Sequence, residues 1–357
     1  MFHKLLFLPV LFLFTGCLDA PFSTQIAPSS TQAETPTASQ PAPEKKMARP
    51  ESLVSMFRSD DLGRSWTPVG DGLPEDLQVS NLEKLGDQIV LGSSNYGVFL
   101  SNPGNQSWQQ LDTTALPNNA ITSLHVAESV IYAGVRMQGI FASNDLGKTW
   151  ASMKHNLKNV IVKSILLTGN EVWIGTDEGI FALQDGSKEW RQISNKPQMK
   201  DLLKVGDNFV AGTYEGIVLS RNNGETWEVV NKKIKPSKIV VVDSKIIALD
   251  SDIGAVISAD MGKTWKPMQD GIVSKAHVFE VAKVGDELLR SQPDGIYQSK
   301  DNGEKWKHIY HFSFDEPFGV MLKLGEQWNE VYSRPEVPIM EFIVVDGVVY
   351  GATMRGC

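Results

Sequence analysis

Ser143-Asn144-Asp145-Leu146-Gly147-Lys148-Thr149-Trp150 decides how this chain is read. The octapeptide returns nearly unchanged at residues 59–66, with Asp61 and Trp66, and at residues 258–265, with Asp260 and Trp265. Residues 220–227 carry Asn222 in place of the Asp, and residues 299–306 carry Lys305 in place of the Thr. Two copies are worn: residues 101–108 have Pro103 and Asn105 at the key places, and residues 183–190 keep only Asp185 and the Trp. The closing tryptophans, Trp66, Trp108, Trp150, Trp190, Trp227, Trp265 and Trp306, stand 37 to 42 residues apart. A period of this size belongs to a solenoid or a propeller.

Physically the box is a hairpin turn. Its Asp can accept hydrogen bonds from turn amides, and its Gly supplies a positive φ. The Thr or Ser is expected to tie down a further backbone group, and the Trp to anchor the next strand. Just upstream lies an alternating, β-forming segment such as Gly139-Ile140-Phe141-Ala142-Ser143, a strand entering the turn. Two more apolar segments precede it, residues 121–126 and 130–134, and a fourth strand is expected to start near Trp150. Four short antiparallel strands per period describe a propeller blade.

The termini point to a closed ring. The chain ends on residues 342–356, which read as two strands and a loop that stop where a third strand is due. The globular part begins at Ser55-Met56-Phe57-Arg58-Ser59, a third strand running into a box. Joined, the two ends make one blade and pair edges that would otherwise be exposed. An all-β, seven-bladed propeller of four-stranded antiparallel blades is therefore expected. Within residues 318–332, residues 322–327 echo residues 82–88, which reads as an insertion, with a vestigial eighth blade as the alternative.

The boxes and the blade pattern resemble the Asp-box (BNR repeat) propeller superfamily, over residues 52–357. That group includes sialidases, xyloglucanases, sortilin-type receptor ectodomains and photosystem II assembly factors. The resemblance implies that the box residues Asp61, Asp145, Asp260, Trp66, Trp150 and Trp265 are structural and lie away from the functional face. It implies a fold and leaves the activity open.

The N-terminus reads as an export and anchoring device. Lys4 precedes an apolar run over residues 5–14, too short to span a bilayer and suited to a signal peptide. Leu13-Phe14-Thr15-Gly16-Cys17 resembles the lipobox of bacterial lipoproteins, with Cys17 as the lipidated residue. Residues 1–16 are then the signal segment. Residues 17–51 hold the lipidated Cys and a Pro-, Ser- and Thr-rich tether that cannot bury a core. Residues 52–357 are the propeller. The protein is expected to be exported and lipid-anchored, in the outer membrane or periplasm.

Because the box joins third and fourth strands, the other end of each blade carries the second-to-third-strand loops and the inter-blade connections. Those loops hold Tyr96, Arg136, Met137, Asp177, Glu178, Tyr214, Glu215, Asp252, Asp294, Met354 and Arg355. A ligand is expected there. A sialidase needs three arginines on the substrate carboxylate; only Arg136 and Arg355 fall at that end, and the Arg-Ile-Pro signature is missing. A glycoside hydrolase needs two carboxylates roughly 5 to 9 Å apart, for which Asp177, Glu178, Glu215, Asp252 and Asp294 are the candidates. The expected function is non-catalytic binding of an envelope protein or glycan, as a scaffold or assembly factor; glycan cleavage by these carboxylates is the alternative.

No phosphate loop, His-Glu-x-x-His motif or zinc-spaced Cys pair occurs, so neither cofactor nor metal is expected. His308 and His311 read as surface histidines. The net charge of −8 disfavours a nucleic-acid partner. Lys232, Lys233, Lys235 and Lys238 read as a basic patch in one inter-blade connection. Phe312, Phe314, Phe318, Trp328 and Tyr332 crowd the longest connection, where Phe318 and Trp328 could anchor a partner. The chain is expected to be monomeric, with Cys357 available for an intermolecular disulfide.

Overall fold

The computed structural model describes residues 56–353, apart from 103, 105–106, 158, 196–198, 273–276, 313–319, 325–326 and 332–338. For residues 320–324 and 327–331 it describes the backbone alone, so the Trp328 side chain is not among the described groups. The signal segment, Cys17, the tether, Phe314, Phe318, Tyr332, Met354, Arg355 and Cys357 lie outside the described residues.

Seven four-stranded antiparallel sheets form the ring. The second blade is typical: Ile121–Ala127, Val130–Val135, Gly139–Ser143 and Ala151–Ser152, paired in sequence order. The innermost strands of the seven blades are Val79–Leu85, Ile121–Ala127, Val162–Thr168, Met199–Val205, Pro236–Val242, Glu280–Val284 and Ile339–Val345. The last blade is composite. Ile339–Val345 and Val348–Thr353 give its inner strands, Met56–Ser59 and Thr67–Pro68 its outer ones, with Phe57 opposite Gly351. The hairpin of Val320–Leu324 and Gln327–Val331 forms its own two-stranded sheet. It does not interrupt the ring, because Ile339–Val345 lies directly against Glu280–Val284. The hairpin is an insertion, and the blade count is seven.

Blades standing side by side around an axis bury their faces against each other, and this organises the core. Described buried hydrophobics fall into seven clusters, one in each gap between neighbouring blades. Within the composite blade that closes the ring, Trp66 beside the N-terminal strand pair stacks on Phe342 of the C-terminal pair, with ring centroids 6.0 Å apart.

Candidate binding face and axial ring

The boxes are self-contained turns at one end of the blades. Asp145 Oδ1 accepts from Thr149 N at 2.9 Å and from Ser143 Oγ at 2.8 Å, and Thr149 Oγ1 donates to Oδ2 at 2.6 Å. Gly147 N in turn donates to Ser143 Oγ at 2.8 Å. The Thr hydroxyl thus holds the Asp carboxylate itself rather than the backbone group expected. Asp61 and Asp260 repeat the arrangement with Ser65 and Thr264, each at 2.6 Å. Hydrogen bonds from Thr149 and Thr264 hold Asp145 and Asp260 down to about 2. At Asp61 burial pulls the other way, and the Ser65 hydrogen bonds outweigh it. A carboxylate stabilised this way is a turn element, with no proton to give at neutral pH. Positive φ extends to the residue before the glycine, Leu62 (60°), Leu146 (59°) and Met261 (58°), so the turn demands two such residues in a row. The tryptophans divide in two groups. Trp66, Trp227, Trp265 and Trp306 donate their indole N–H to their own box glycine carbonyl at 3.1 Å. Trp108, Trp150 and Trp190 reach back to Val69, Asp112 and Met153 of the preceding blade.

The opposite end gathers the second-to-third-strand loops. Tyr214 is 57% exposed, Met137 44% and Ile253 42%, three of the four most exposed large hydrophobics among the described residues. They sit on the loops of the second, fourth and fifth blades. Lys200, on the bulge that opens the fourth inner strand, places its Nζ 4.2 Å from the Tyr214 ring centroid. Arg136 is exposed beside Met137, while Tyr96 is half-buried and donates its hydroxyl to Asp76 at 2.6 Å. The candidate carboxylates differ in what they do. Asp177 Oδ1 accepts from Ile161 N at 2.8 Å, fixing an inter-blade connection. Asp294 is held by Gln292 Nε2 and the Tyr297 hydroxyl, each at 2.6 Å. Glu178, Glu215 and Asp252 are exposed. Two of the five candidates are thus committed to loop geometry.

Sequence reasoning missed a second constellation. One register position of each innermost strand carries, in blade order, Asn81, Ser123, Ser164, Asp201, Lys238, Glu280 and Glu341. Five of them reach a neighbouring blade, while Asn81 Oδ1 and Ser164 Oγ are buried without a hydrogen-bond partner among the described residues. Ser123 Oγ donates to Val162 O of the next blade at 3.2 Å, Asp201 Oδ2 accepts from Ile239 N at 3.0 Å, and Glu341 Oε1 accepts from Leu82 N at 3.3 Å. Lys238 pairs with Glu280 of the next blade and lies 3.8 Å from Glu341, one blade further on. It therefore belongs to the axial ring and not to the basic patch of Lys232, Lys233 and Lys235. Burial pushes Glu341 up to about 7 and raises Asp201 and Glu280. On Lys238 burial acts against the charge, but Glu280 and Glu341 outweigh it and raise the ammonium above its ordinary range.

His311 is exposed, but His308 is not a simple surface group. His308 stacks on Tyr297 at 4.5 Å with its Nε2 buried, and His311 meets it edge-on at 5.5 Å. No cluster of metal-ligand type occurs among the described residues. Of the long-connection aromatics, the described one, Phe312, is buried between the sixth and seventh blades.

No family model matches the chain, and no curated protein matches it in sequence. Solved structures resemble it in fold. YCF48 from Cyanidioschyzon merolae aligns over 79% of this chain and 97% of its own at 12% identity, with a TM-score of 0.57. YCF48 bound to D1 peptide aligns over 80% and 96% at 17% identity, TM-score 0.56. An ancestral GH74 enzyme aligns over 73% of this chain at 15% identity, TM-score 0.54, and this chain spans 41% of its length. At these identities the likeness shows the propeller fold alone.

Proposed function

We propose that the protein is a non-catalytic binding propeller that holds a polypeptide segment of an envelope protein on its loop face. The observation that carries this reading is the set of exposed apolar side chains there, Tyr214, Met137 and Ile253, flanked by Lys200 and Arg136. Exposed aromatic and thioether groups beside fixed cations suit a peptide with apolar side chains and a carboxylate. A structural neighbour with bound peptide, YCF48 with D1 peptide, supports a polypeptide ligand. In this reading Cys17 carries the lipid, residues 17–51 are the tether, and the propeller acts as a scaffold at the outer membrane or in the periplasm. Arg355, Phe318 and Trp328 remain candidate contributors to the same surface. The glycan-cleaving alternative rests on Glu178, Glu215 and Asp252, the three candidates that are exposed, since Asp177 and Asp294 are bound within their loops.

The test is in-cell photo-crosslinking from a benzoylphenylalanine placed at position 214, with position 146 on the box end as control. A discrete protein adduct from 214 and none from 146 is the expected result. Adducts of equal yield from both positions, or none from 214, sink the reading. Glycan hydrolysis by the full chain that disappears in Glu215→Ala would replace it with the enzymatic one.

A further inference from the structure

The box turn of the third blade stands clear of the blade before it. In five blades the box glycine presses on the preceding blade: a Cβ there would lie 2.4 Å from Leu111 at Gly147, 2.3 Å from Trp173 at Gly224 and 2.2 Å from Met268 at Gly303. Gly262 and Gly63 approach Val230 and Ile296 at 3.0 and 3.5 Å. Residues 183–190 break the pattern because their glycine arrives one position early, with Ser187 where the others have Gly. Gly186 accordingly meets nothing within 4 Å. Between the second and third blades this stand-off leaves a groove of about 600 Å³ at the box end.

Its floor is apolar and its rim is acidic. Tyr132 and Met153 of the second blade face Leu167, Val172 and Leu183 of the third. Glu128 lies on the first-to-second-strand turn of one blade, Asp185 on the box of the other, and no Lys or Arg is among the described residues that line the groove. Neither carboxylate makes a side-chain hydrogen bond or ion pair with another described residue. Glu171, the third acid, is committed to Arg191 at 3.0 Å and to the Trp173 indole at 2.9 Å, which stiffens the wall. Burial raises the Tyr132 phenol, and the charges of Asp185 and Glu128 add to the rise, so both fields reach the middle of the groove. His155 completes the lining.

We infer that this groove is a second binding site, for a basic polypeptide segment whose lysine or arginine stems lie on the apolar floor and whose charges meet Glu128 and Asp185. An aliphatic stem with a cationic head matches a floor of Leu, Val and Met under two unpaired carboxylates. The site lies at the opposite end of the blades from Tyr214, so it is independent of the loop face.

The probe is a fluorescein-labelled peptide of alternating leucine and lysine, titrated into the full chain by anisotropy. Saturable binding that weakens as salt rises is expected. The double variant Glu128→Lys, Asp185→Lys should weaken it at least about tenfold. Tyr214→Ala should leave it unchanged. Absence of saturable binding to the wild-type chain overturns the inference, as does binding undiminished by the charge reversal, whose two exposed sites do not bear on folding. Loss of binding in Tyr214→Ala would overturn it too, by moving the peptide to the loop face.

Discussion

The box turns and the axial ring both use carboxylates to hold blades in place, and they do so with opposite electrostatics. In a box the Asp is solvated, satisfied by neighbours within four residues, and held to about 2 in Asp145 and Asp260. In the ring Asp201, Glu280 and Glu341 are desolvated, and partners such as Ile239, Lys238 and Leu82 come from other blades. A local motif can be copied into every blade because it needs nothing from outside itself. A cross-blade contact needs a different partner at each step, so the ring position varies from Asn to Ser, Asp, Lys and Glu. The repeat thus specifies the fold, and the ring joins particular blades through contacts that differ from one to the next.

Removing the ring's cation is the largest way to break that contrast. Lys238→Ala leaves Glu280, whose side chain is 4% exposed, without its counter-charge. Breaking a buried pair from one side costs several kcal/mol, and with the Lys238 side chain 38% exposed the loss should be about 3 kcal/mol. Chemical denaturation of the full chain at pH 8 reads it. The deficit should shrink at pH 5, where Glu341, standing at about 7, is protonated. An equal deficit at both pH values would mean that the ring's charges are not what Lys238 stabilises.

The next effect is a pH tilt of opposite sign in the two regions. Glu341 stands at about 7 in the folded chain against an ordinary 4.5. Between those values the folded state binds the extra proton, so this group's contribution is full below 4.5 and is lost as pH rises towards 7. The box aspartates act the other way: their contribution is present above 3.8 and falls away as pH drops through about 2. Glu341→Gln should therefore flatten the wild-type decline between pH 4.5 and 7, which is about 2 kcal/mol once the side chain's partial exposure is allowed for. It should leave the acid limb below pH 4 as it was. A variant whose stability still falls over the upper span would assign that titration elsewhere.

The same contrast explains what was legible in the sequence. Seven tryptophans at a regular spacing, three intact boxes and a chain that starts and stops mid-blade were enough for the blade count and for the shared closing blade. They also placed Tyr214 and Met137 at the end away from the boxes. The axial ring was hidden because its positions share a register and not a residue type. Lys238, four residues from Ile234, reads as one more lysine in a basic run until the fold brings Glu280 and Glu341 to it. Asp177 and Asp294 look as free as Glu215 on paper; only their contacts to Ile161 and to Tyr297 separate them. The bulge at Lys200 was equally invisible, since nothing in its strand's composition marks where the register slips.

The smallest effect separates an intact box from the worn one. Gly147 and Gly186 both have positive φ, 78° and 74°, so alanine is strained at either. That shared backbone cost is about 1 kcal/mol. At Gly147 the new Cβ would also stand 2.4 Å from Leu111 Cδ1, in the packed gap between the first and second blades, whereas at Gly186 it meets nothing within 4 Å. Displacing Leu111 should add about 1 kcal/mol more. Gly147→Ala should therefore lower Tm by about twice as much as Gly186→Ala, in scans of the two full-length variants under the same conditions. If the two fall equally, the third box packs against the blade before it as tightly as the second does; the thermal difference thus measures whether the turn at Gly186 stands clear of its neighbour.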